Sequence, residues 1–186
     1  MTRATPSGAA PSFADGQRHR ALLVHAEPDE VMGVLAECEG LDWAAATCVD
    51  EVAPALERHD PEVVLSIKTS AFSGTAHATA LSWPRVRWFH VGGSGRDHLG
   101  AWSASRVTVT DSAGVLAPFL AERALAGLLA LSTGLVEQWR AQAESRWAPT
   151  RFRPLAGRTL LVVGVGHTGG ALAERARALG MRVLGV

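Results

Sequence analysis

Three glycines near the C-terminal end of the sequence have the spacing of a phosphate-binding loop. Gly164, Gly166 and Gly169 form G-x-G-x-x-G between the predicted strand TLLVV and a predicted helix that ends at Gly180. In this context the first glycine permits a tight turn and the second lets a pyrophosphate approach the backbone. The third lets the helix pack closely on the strand, and the free N–H groups at the helix start attract phosphate. We therefore predict a dinucleotide site.

The loop predicts NAD or NADP and leaves the choice between them open. His167 and Thr168, between the second and third glycines, are also predicted cofactor contacts. An acidic residue about 20 positions after the first glycine would select NAD, and a basic environment there would suit NADP. Val186 is the last residue, 22 positions after Gly164, so the deciding position falls at or just past it. The alternative is a glycine-rich turn that binds no ligand.

A second glycine-rich turn, VGGSG at 91–95, follows the predicted strand VRWFHV. Backbone N–H groups freed by such a turn can hold a carboxylate, although an ordinary strand-end turn has the same composition. Lys68, the only lysine, follows the predicted strand EVVLSI, where it could pair with an anion or remain solvated. We interpret His90 and His98 as satisfied polar groups, and Asp97 as a turn-stabilising carboxylate.

The composition excludes several classes of function. Of 186 residues 47% are hydrophobic, and 18 basic residues balance 18 acidic ones, so no basic surplus favours nucleic acid. No apolar run approaches the about 18 residues that span a membrane, and the N-terminus lacks the apolar segment of a signal peptide. Cys38 and Cys48 are isolated, so we expect neither zinc nor a disulfide framework. We predict a cytoplasmic protein without a metal site.

Short apolar runs alternate with helical patterns after a leader over residues 1–19, which we expect to be flexible. This alternation predicts a parallel sheet with helices on both faces. The predicted strands cover 21–26, 41–49, 62–67, 86–91, 107–110, 159–163 and 181–186. The predicted helices cover 29–40, 50–59, 73–82, a long segment at 117–147, and the segment after the glycine loop. Pro54 is expected in the first turn of its helix, where proline is tolerated.

The long helix predicted over 117–147 has Pro118 at a natural first position and is apolar on much of its circumference. Such a helix is usually buried between layers or between subunits.

The motifs resemble the D-isomer-specific 2-hydroxyacid dehydrogenases, of the glyoxylate/hydroxypyruvate reductase or phosphoglycerate dehydrogenase-like kind. The sequence Leu-x-Gly-Arg-Thr at 155–159 matches the lead-in to the family's nucleotide domain, and the three glycines match its loop. Upstream, the G-x-G-x-D turn at 93–97 and the Ala121–Glu122 pair match the family's turn and long helix. His167 and Thr168 depart from the pattern, because the family usually has Arg-Ile there.

The resemblance implies an α/β fold with two domains. A flavodoxin-like substrate domain would cover 20–113, and the first β-α-β of a truncated Rossmann NAD(P)-binding domain would cover 114–186. It also implies a homodimer joined through a helix over 117–135.

The implied activity is the NAD(P)-dependent interconversion of a 2-keto acid, such as glyoxylate or hydroxypyruvate, and its 2-hydroxy acid. In the family the glycine turn helps to bind the substrate carboxylate, which implicates Val91, Gly92 and Gly93, with Lys68 nearby. The family's catalytic Arg, Glu and His belong to the later half of the nucleotide domain, so we assign no catalytic residue and expect this chain alone to be inactive. Two alternatives remain: a non-catalytic pseudo-enzyme or dimerising partner, and another Rossmann dehydrogenase of the formate or amino-acid type.

Overall fold

The computed structural model describes residues 16–67, 69, 72 and 74–186. The chain divides into two compact units, unit 1 over residues 1–112 and unit 2 over 113–186. The domain boundary that we predict from the sequence lies between residues 113 and 114. Lys68 lies outside the described residues, so its role in substrate binding stays a prediction.

Unit 1 is built on a five-stranded, entirely parallel sheet. Its elements are β1 (His19–Val24), α1 (Pro28–Leu35), β2 (Leu41–Ala46), α2 (Val49–His59), β3 (Val63–Ser66), α3 (Gly74–Ser82), β4 (Trp88–Val91), a 3₁₀ turn (Asp97–Leu99) and β5 (Thr108–Asp111). The strand order is β2-β1-β3-β4-β5. This is the flavodoxin-like order, which confirms the predicted fold class.

The core of unit 1 includes the interior strand β1, whose residues Ala21–Val24 are buried. Parallel strands covered on both faces need such continuous apolar runs. Helix α2 adds Val52, Ala55 and Leu56, spaced three and four residues apart, to the same core. It ends at Asp60, a left-handed residue whose N–H donates to the Leu56 carbonyl at 2.8 Å.

Two local predictions in unit 1 are wrong. Strand β1 begins at His19, inside the predicted leader, because His19 is buried and its ring lies 2.6 Å from the Glu62 carboxylate. Pro54 is the sixth residue of α2 rather than part of its first turn, since the helix already begins at Val49. Pro54 is exposed, so the carbonyl that its missing N–H leaves unbonded lies on the solvent side of the helix.

Unit 2 begins with two helices and continues as a β-α-β motif. Its elements are α4 (Ala117–Thr133), α5 (Leu135–Ala143), β6 (Thr159–Val162), α6 (His167–Ala178) and β7 (Arg182–Gly185). Strands β6 and β7 pair in parallel, as predicted for the first part of a Rossmann fold. The core of this unit is small: Leu155, Ala176 and Met181 are buried, with partly buried leucines of α4 packed against them.

The prediction of one helix over 117–135 is wrong at Gly134. This residue adopts a left-handed conformation at φ +68° and ends α4, and α5 then runs at 68° to it. Of the residues of α4, only Ala117 and Ala121 are buried, so most of its apolar surface is exposed within this chain. In the part of the chain that the structure describes, no single helix is long and apolar enough to span a membrane. The bent pair of α4 and α5 meets that criterion only by combined length and composition.

Candidate functional site

The glycine loop between β6 and α6 has the geometry of a phosphate-binding turn. Gly164 lies at φ +90°, in the left-handed region that glycine adopts without strain. A Cβ atom on Gly169 would lie 2.0 Å from the Gly164 carbonyl oxygen, so only glycine lets α6 approach β6 this closely. A Cβ atom on Gly166 would meet no heavy atom within 4 Å, so the space in front of this residue is open.

The first turn of α6 presents its N–H groups to that open space. Gly166 occupies the N-cap position and no side chain caps the helix, so the first-turn N–H groups have no partner from a capping residue. His167 and Thr168 are exposed in the same turn. These features fit a pyrophosphate, which binds to free N–H groups at the positive end of a helix dipole.

The His167 ring lies beside the turn that precedes α4. A Cβ atom on Gly114 would lie 3.1 Å from the imidazole Nδ1 of His167. The ring therefore packs against backbone in this unit, and the contacts offered to a pyrophosphate come mainly from N–H groups of the loop.

The second predicted site lies where β4 ends and the VGGSG turn begins. The Gly92 N–H donates to the Ser66 carbonyl at 2.9 Å, and a Cβ atom on Gly92 would lie 2.6 Å from Ile67 Cγ1. Gly92 therefore lets the turn pass close to the end of β3. In the described part of the chain the Gly93 N–H has no hydrogen-bond acceptor, which leaves it available to a ligand.

The turn lies next to the point where the strand order of unit 1 reverses, between β1 and β3. Ligands of open α/β sheets bind outside the carboxyl ends of the strands at such a point. The hydroxyls of Ser66 and Thr69, at the end of β3, are buried and have no hydrogen-bond partner among the described residues. Neither residue stands out in the sequence, because a serine or threonine at a strand end is common.

The sequence also did not reveal that polar side chains of β4 and β5 form a connected network. The His90 ring lies 2.8 Å from Thr110 Oγ1 through Nδ1 and 3.1 Å from Ser112 Oγ through Nε2. This confirms His90 as a satisfied polar group. Burial lowers the pKa of His90, and the nearby carboxylate of Asp111 opposes that shift. His90 and Trp88 are two residues apart, so both side chains lie on one face of β4. This spacing is the feature of the sequence that could have indicated the network.

An ion pair holds the turn after β4 to the end of β5. Arg96 Nε lies 3.0 Å from the Asp111 carboxylate, and both side chains are largely buried. His98, which follows in the 3₁₀ turn, packs edge-on against the ring of His77 at 4.7 Å between centroids.

Two cavities in unit 2 contain none of the predicted site residues. One of about 670 Å³ lies between α5 and the following loop, and another of about 410 Å³ lies beside β6. Among the described residues, no group of three or more His, Cys, Asp or Glu side chains could hold a metal ion. Both cysteines are exposed and unpaired.

The fold and the glycine loop together define an α/β protein with a Rossmann-type dinucleotide-binding motif. Residues 125–186 match the family model described as D-isomer specific 2-hydroxyacid dehydrogenase, NAD binding domain. Residues 125–186 thus correspond to the NAD-binding domain of this family, and NAD(P) is the cofactor class of that domain.

Three proteins illustrate the likeness. A glyoxylate reductase of Korarchaeum cryptofilum is 31% identical over 134 residues, which cover 67% of this chain and 39% of that protein. A D-isomer specific 2-hydroxyacid dehydrogenase family protein of Aeromonas salmonicida aligns with a TM-score of 0.72 at 23% identity, covering 90% of this chain and 53% of the other. The NAD-dependent formate dehydrogenase of Staphylococcus aureus, solved with NAD, aligns with a TM-score of 0.63 at 20% identity, covering 89% and 55%.

The two solved structures share the fold with this chain. The chain spans about two fifths of the glyoxylate reductase and about half of each solved chain.

Proposed function

We propose that the chain forms part of an NAD(P)-dependent dehydrogenase that interconverts a small 2-keto acid, such as glyoxylate or hydroxypyruvate, and its 2-hydroxy acid. The observation that carries this proposal is the loop at Gly164–Gly169, with its open space at Gly166 and uncapped α6. The match to the family model and the glyoxylate reductase likeness support the substrate class. The bound nicotinamide would supply the hydride.

Each unit would contribute one binding element to this reaction. In unit 2, the N–H groups at the start of α6 would hold the pyrophosphate. In unit 1, the free N–H of Gly93, with Lys68 as a predicted cation, would hold the substrate carboxylate. No residue present is assigned a proton-transfer role.

A substitution at Gly166 tests the pyrophosphate site without disturbing the fold. Gly166 has φ −85°, which any residue adopts, and open space for a side chain. Gly166→Val should fold normally and fill the space that a pyrophosphate would occupy. In 31P NMR, the wild-type chain should broaden the pyrophosphate signals of NADH or NADPH, and Gly166→Val should not. The control variant is Gly33→Ala, in the exposed helix α1. If Gly166→Val broadened the signals as much as this control, the cofactor would bind elsewhere.

We further propose that the family's catalytic groups lie outside these 186 residues. Apolar side chains of the small sheet support this. Leu161 on β6 and Leu184 on β7 are exposed, and Val163, directly after β6, is 80% exposed, as expected for a sheet that further elements cover. The purified chain, mixed with NADH or NADPH and glyoxylate or hydroxypyruvate, should oxidise no cofactor above background. Clear turnover would overturn this part of the proposal. Assaying formate with NAD tests the alternative of a formate-type enzyme.

A non-catalytic role in dimerisation is the second candidate, and the exposed face of α4 favours it. Phe119 is 66% and Leu131 78% exposed on this helix. We propose that a homodimer covers this face, whether or not the chain takes part in catalysis. Phe119→Asp should lower the mass measured by sedimentation from dimer to monomer. Val34→Asp, which changes an exposed valine of α1, should leave the mass unchanged.

A further inference from the structure

The polar side chains of β4 and β5 form a hydrogen-bonded chain that ends at Ser112. The indole Nε1–H of Trp88 donates to Thr110 Oγ1 at 2.9 Å. Thr110 Oγ1 lies 2.8 Å from His90 Nδ1, and His90 Nε2 lies 3.1 Å from Ser112 Oγ. Four side chains are thus connected in one line along a single face of the sheet.

The indole at one end of this chain favours one direction for its hydrogen bonds. An indole N–H can only donate, so Thr110 Oγ1 accepts from Trp88 and has its own proton left to donate. A neutral imidazole has one donor and one acceptor nitrogen. Every group is satisfied when Thr110 donates to His90 Nδ1 and His90 Nε2–H donates to Ser112 Oγ. The proton of the Ser112 hydroxyl then remains for another acceptor.

Ser112 also holds the glycine turn through its backbone. Its N–H lies 3.2 Å from the Val91 carbonyl and 3.0 Å from the Gly93 carbonyl, and donates to both. The Gly93 N–H, on the same short segment, has no acceptor in the described part of the chain. The Ser112 hydroxyl and the Gly93 N–H are therefore two available donors at the carboxyl ends of β4 and β5.

The charges around these donors do not oppose an anion. Asp111 directly precedes Ser112 and acts electrostatically on His90, and its carboxylate is paired with Arg96 at 3.0 Å. A carboxylate that bound at Gly93 would therefore meet a neutralised pair rather than an unpaired negative charge.

We propose that Ser112 donates its hydroxyl proton to a carboxylate oxygen of the anionic substrate at the 91–95 turn, and that His90 is the positioning residue that directs this hydroxyl. The substrate class rests on the proposed function. His90 touches no substrate in this scheme and acts only through Ser112.

The tautomer of His90 is a direct readout of the chain, independent of any ligand. In 15N NMR of the full chain above pH 7, His90 should show the Nε2–H tautomer. Trp88→Phe removes the indole N–H that favours this direction, so the signal should change towards a mixture of both tautomers. An Nδ1–H tautomer in the wild type would overturn the proposal, because Ser112 would then have to donate to His90.

Binding of oxamate, a stable 2-keto acid analogue, tests the role of Ser112. In the wild type, oxamate should shift the backbone amide signal of Gly93. Ser112→Ala and His90→Phe should each weaken this binding roughly tenfold, because each loses or misdirects one hydrogen bond to a charged group. His90→Gln retains an N–H donor and should recover much of the affinity. Ser105→Ala, an exposed serine outside the site, is the matched control.

The outcomes separate this inference from the proposed function. Oxamate binding that is equal in wild type and Ser112→Ala would overturn the role of Ser112 while leaving the carboxylate turn in place. An oxamate titration that moves no signal at Gly92 or Gly93 in the wild type would overturn both. Unchanged amide signals in β1 and β2 of each variant would show that the fold of unit 1 is intact.

Discussion

At the scale of single residues, two adjacent glycines in α6 should respond oppositely to alanine. Gly169→Ala would place a Cβ atom 2.0 Å from the Gly164 carbonyl oxygen, which is backbone and cannot rotate away. We expect a loss of roughly 1–3 kcal/mol as α6 is displaced from β6. Gly170→Ala meets nothing within 4 Å and should stabilise α6 by up to about 1 kcal/mol.

Hydrogen exchange of the α6 amides measures the local stability of this helix in both variants, separately from the stability of unit 1. If the two substitutions changed protection to the same extent and in the same direction, the close approach of α6 to the Gly164 carbonyl would not limit this position.

Glu62 is a buried carboxylate with two arginines and a histidine as neighbours. It lies 2.6 Å from His19, 2.6 Å from Arg85 and 3.1 Å from Arg87. Burial by itself would raise its pKa, but the hydrogen bonds from Arg85, His19 and Arg87 outweigh burial and lower the pKa from 4.5 to about 2. The folded state therefore binds the proton of Glu62 less tightly than the unfolded chain does.

The pKa of Glu62 predicts how the stability of unit 1 depends on pH. Because the pKa is lower in the folded state, the stabilisation is complete above pH 4.5 and is lost as the pH falls towards 2. Glu62→Gln should cost on the order of 2 kcal/mol at neutral pH and should flatten this part of the pH profile. Urea midpoints measured between pH 2 and pH 7 would show both effects. Glu57→Gln, at an exposed position of α2, should keep the wild-type slope.

At the scale of elements, Gly134 decides where α4 ends. It lies at φ +68°, and a Cβ atom there would lie 2.9 Å from the side chain of Thr150. Gly134→Ala should therefore destabilise the α4–α5 connection by about 1–2 kcal/mol. Gly127→Ala, inside α4 with nothing within 4 Å, should stabilise the helix by up to about 1 kcal/mol. Amide hydrogen exchange in the last turn of α4 distinguishes the two variants. If Gly134→Ala left the stability of this turn unchanged, Gly134 would not act as a helix cap.

The elements that sequence predicts best are those with a local cause. Strands β1, β3 and β4 lie in short apolar runs. The two glycine turns are visible because only glycine permits φ +90° at Gly164 or the close approach at Gly92. The break at Gly134 escaped prediction because the apolar pattern continues from α4 into α5. The side chain of Thr150, 16 residues away, lies where a Cβ atom on Gly134 would be, and this proximity cannot be read from the local pattern.

The polar networks could not be predicted for a related reason. His90 meets Thr110 and Ser112 only because β4 pairs with β5 in a register that places His90 opposite Thr110. Glu62 meets His19, 43 residues away, at the start of neighbouring strands. A single sequence gives the polarity of these residues but not the strand register that brings them together.

At the scale of the whole molecule, the two units have cores of very different size. The core of unit 1 includes Leu22, Leu56, Val64 and Phe89, all fully buried within the same cluster. The core of unit 2 has three buried residues, and large apolar side chains of β6 and β7 remain exposed. Because buried apolar area is the main favourable term in folding, unit 1 should be the more stable of the two in this chain.

This difference predicts that the chain does not unfold in one step. In urea, amides of β6 and β7 should lose protection from hydrogen exchange at a lower concentration than those of β1 and β3, because they open with a smaller free energy. Val64→Ala in β3 should move only the second transition, by about 1–3 kcal/mol for the lost packing of a fully buried side chain. Met181→Ala, in the small core, should move only the first. A single transition shared by all four strands, shifted equally by both substitutions, would instead show that the two units fold as one cooperative body.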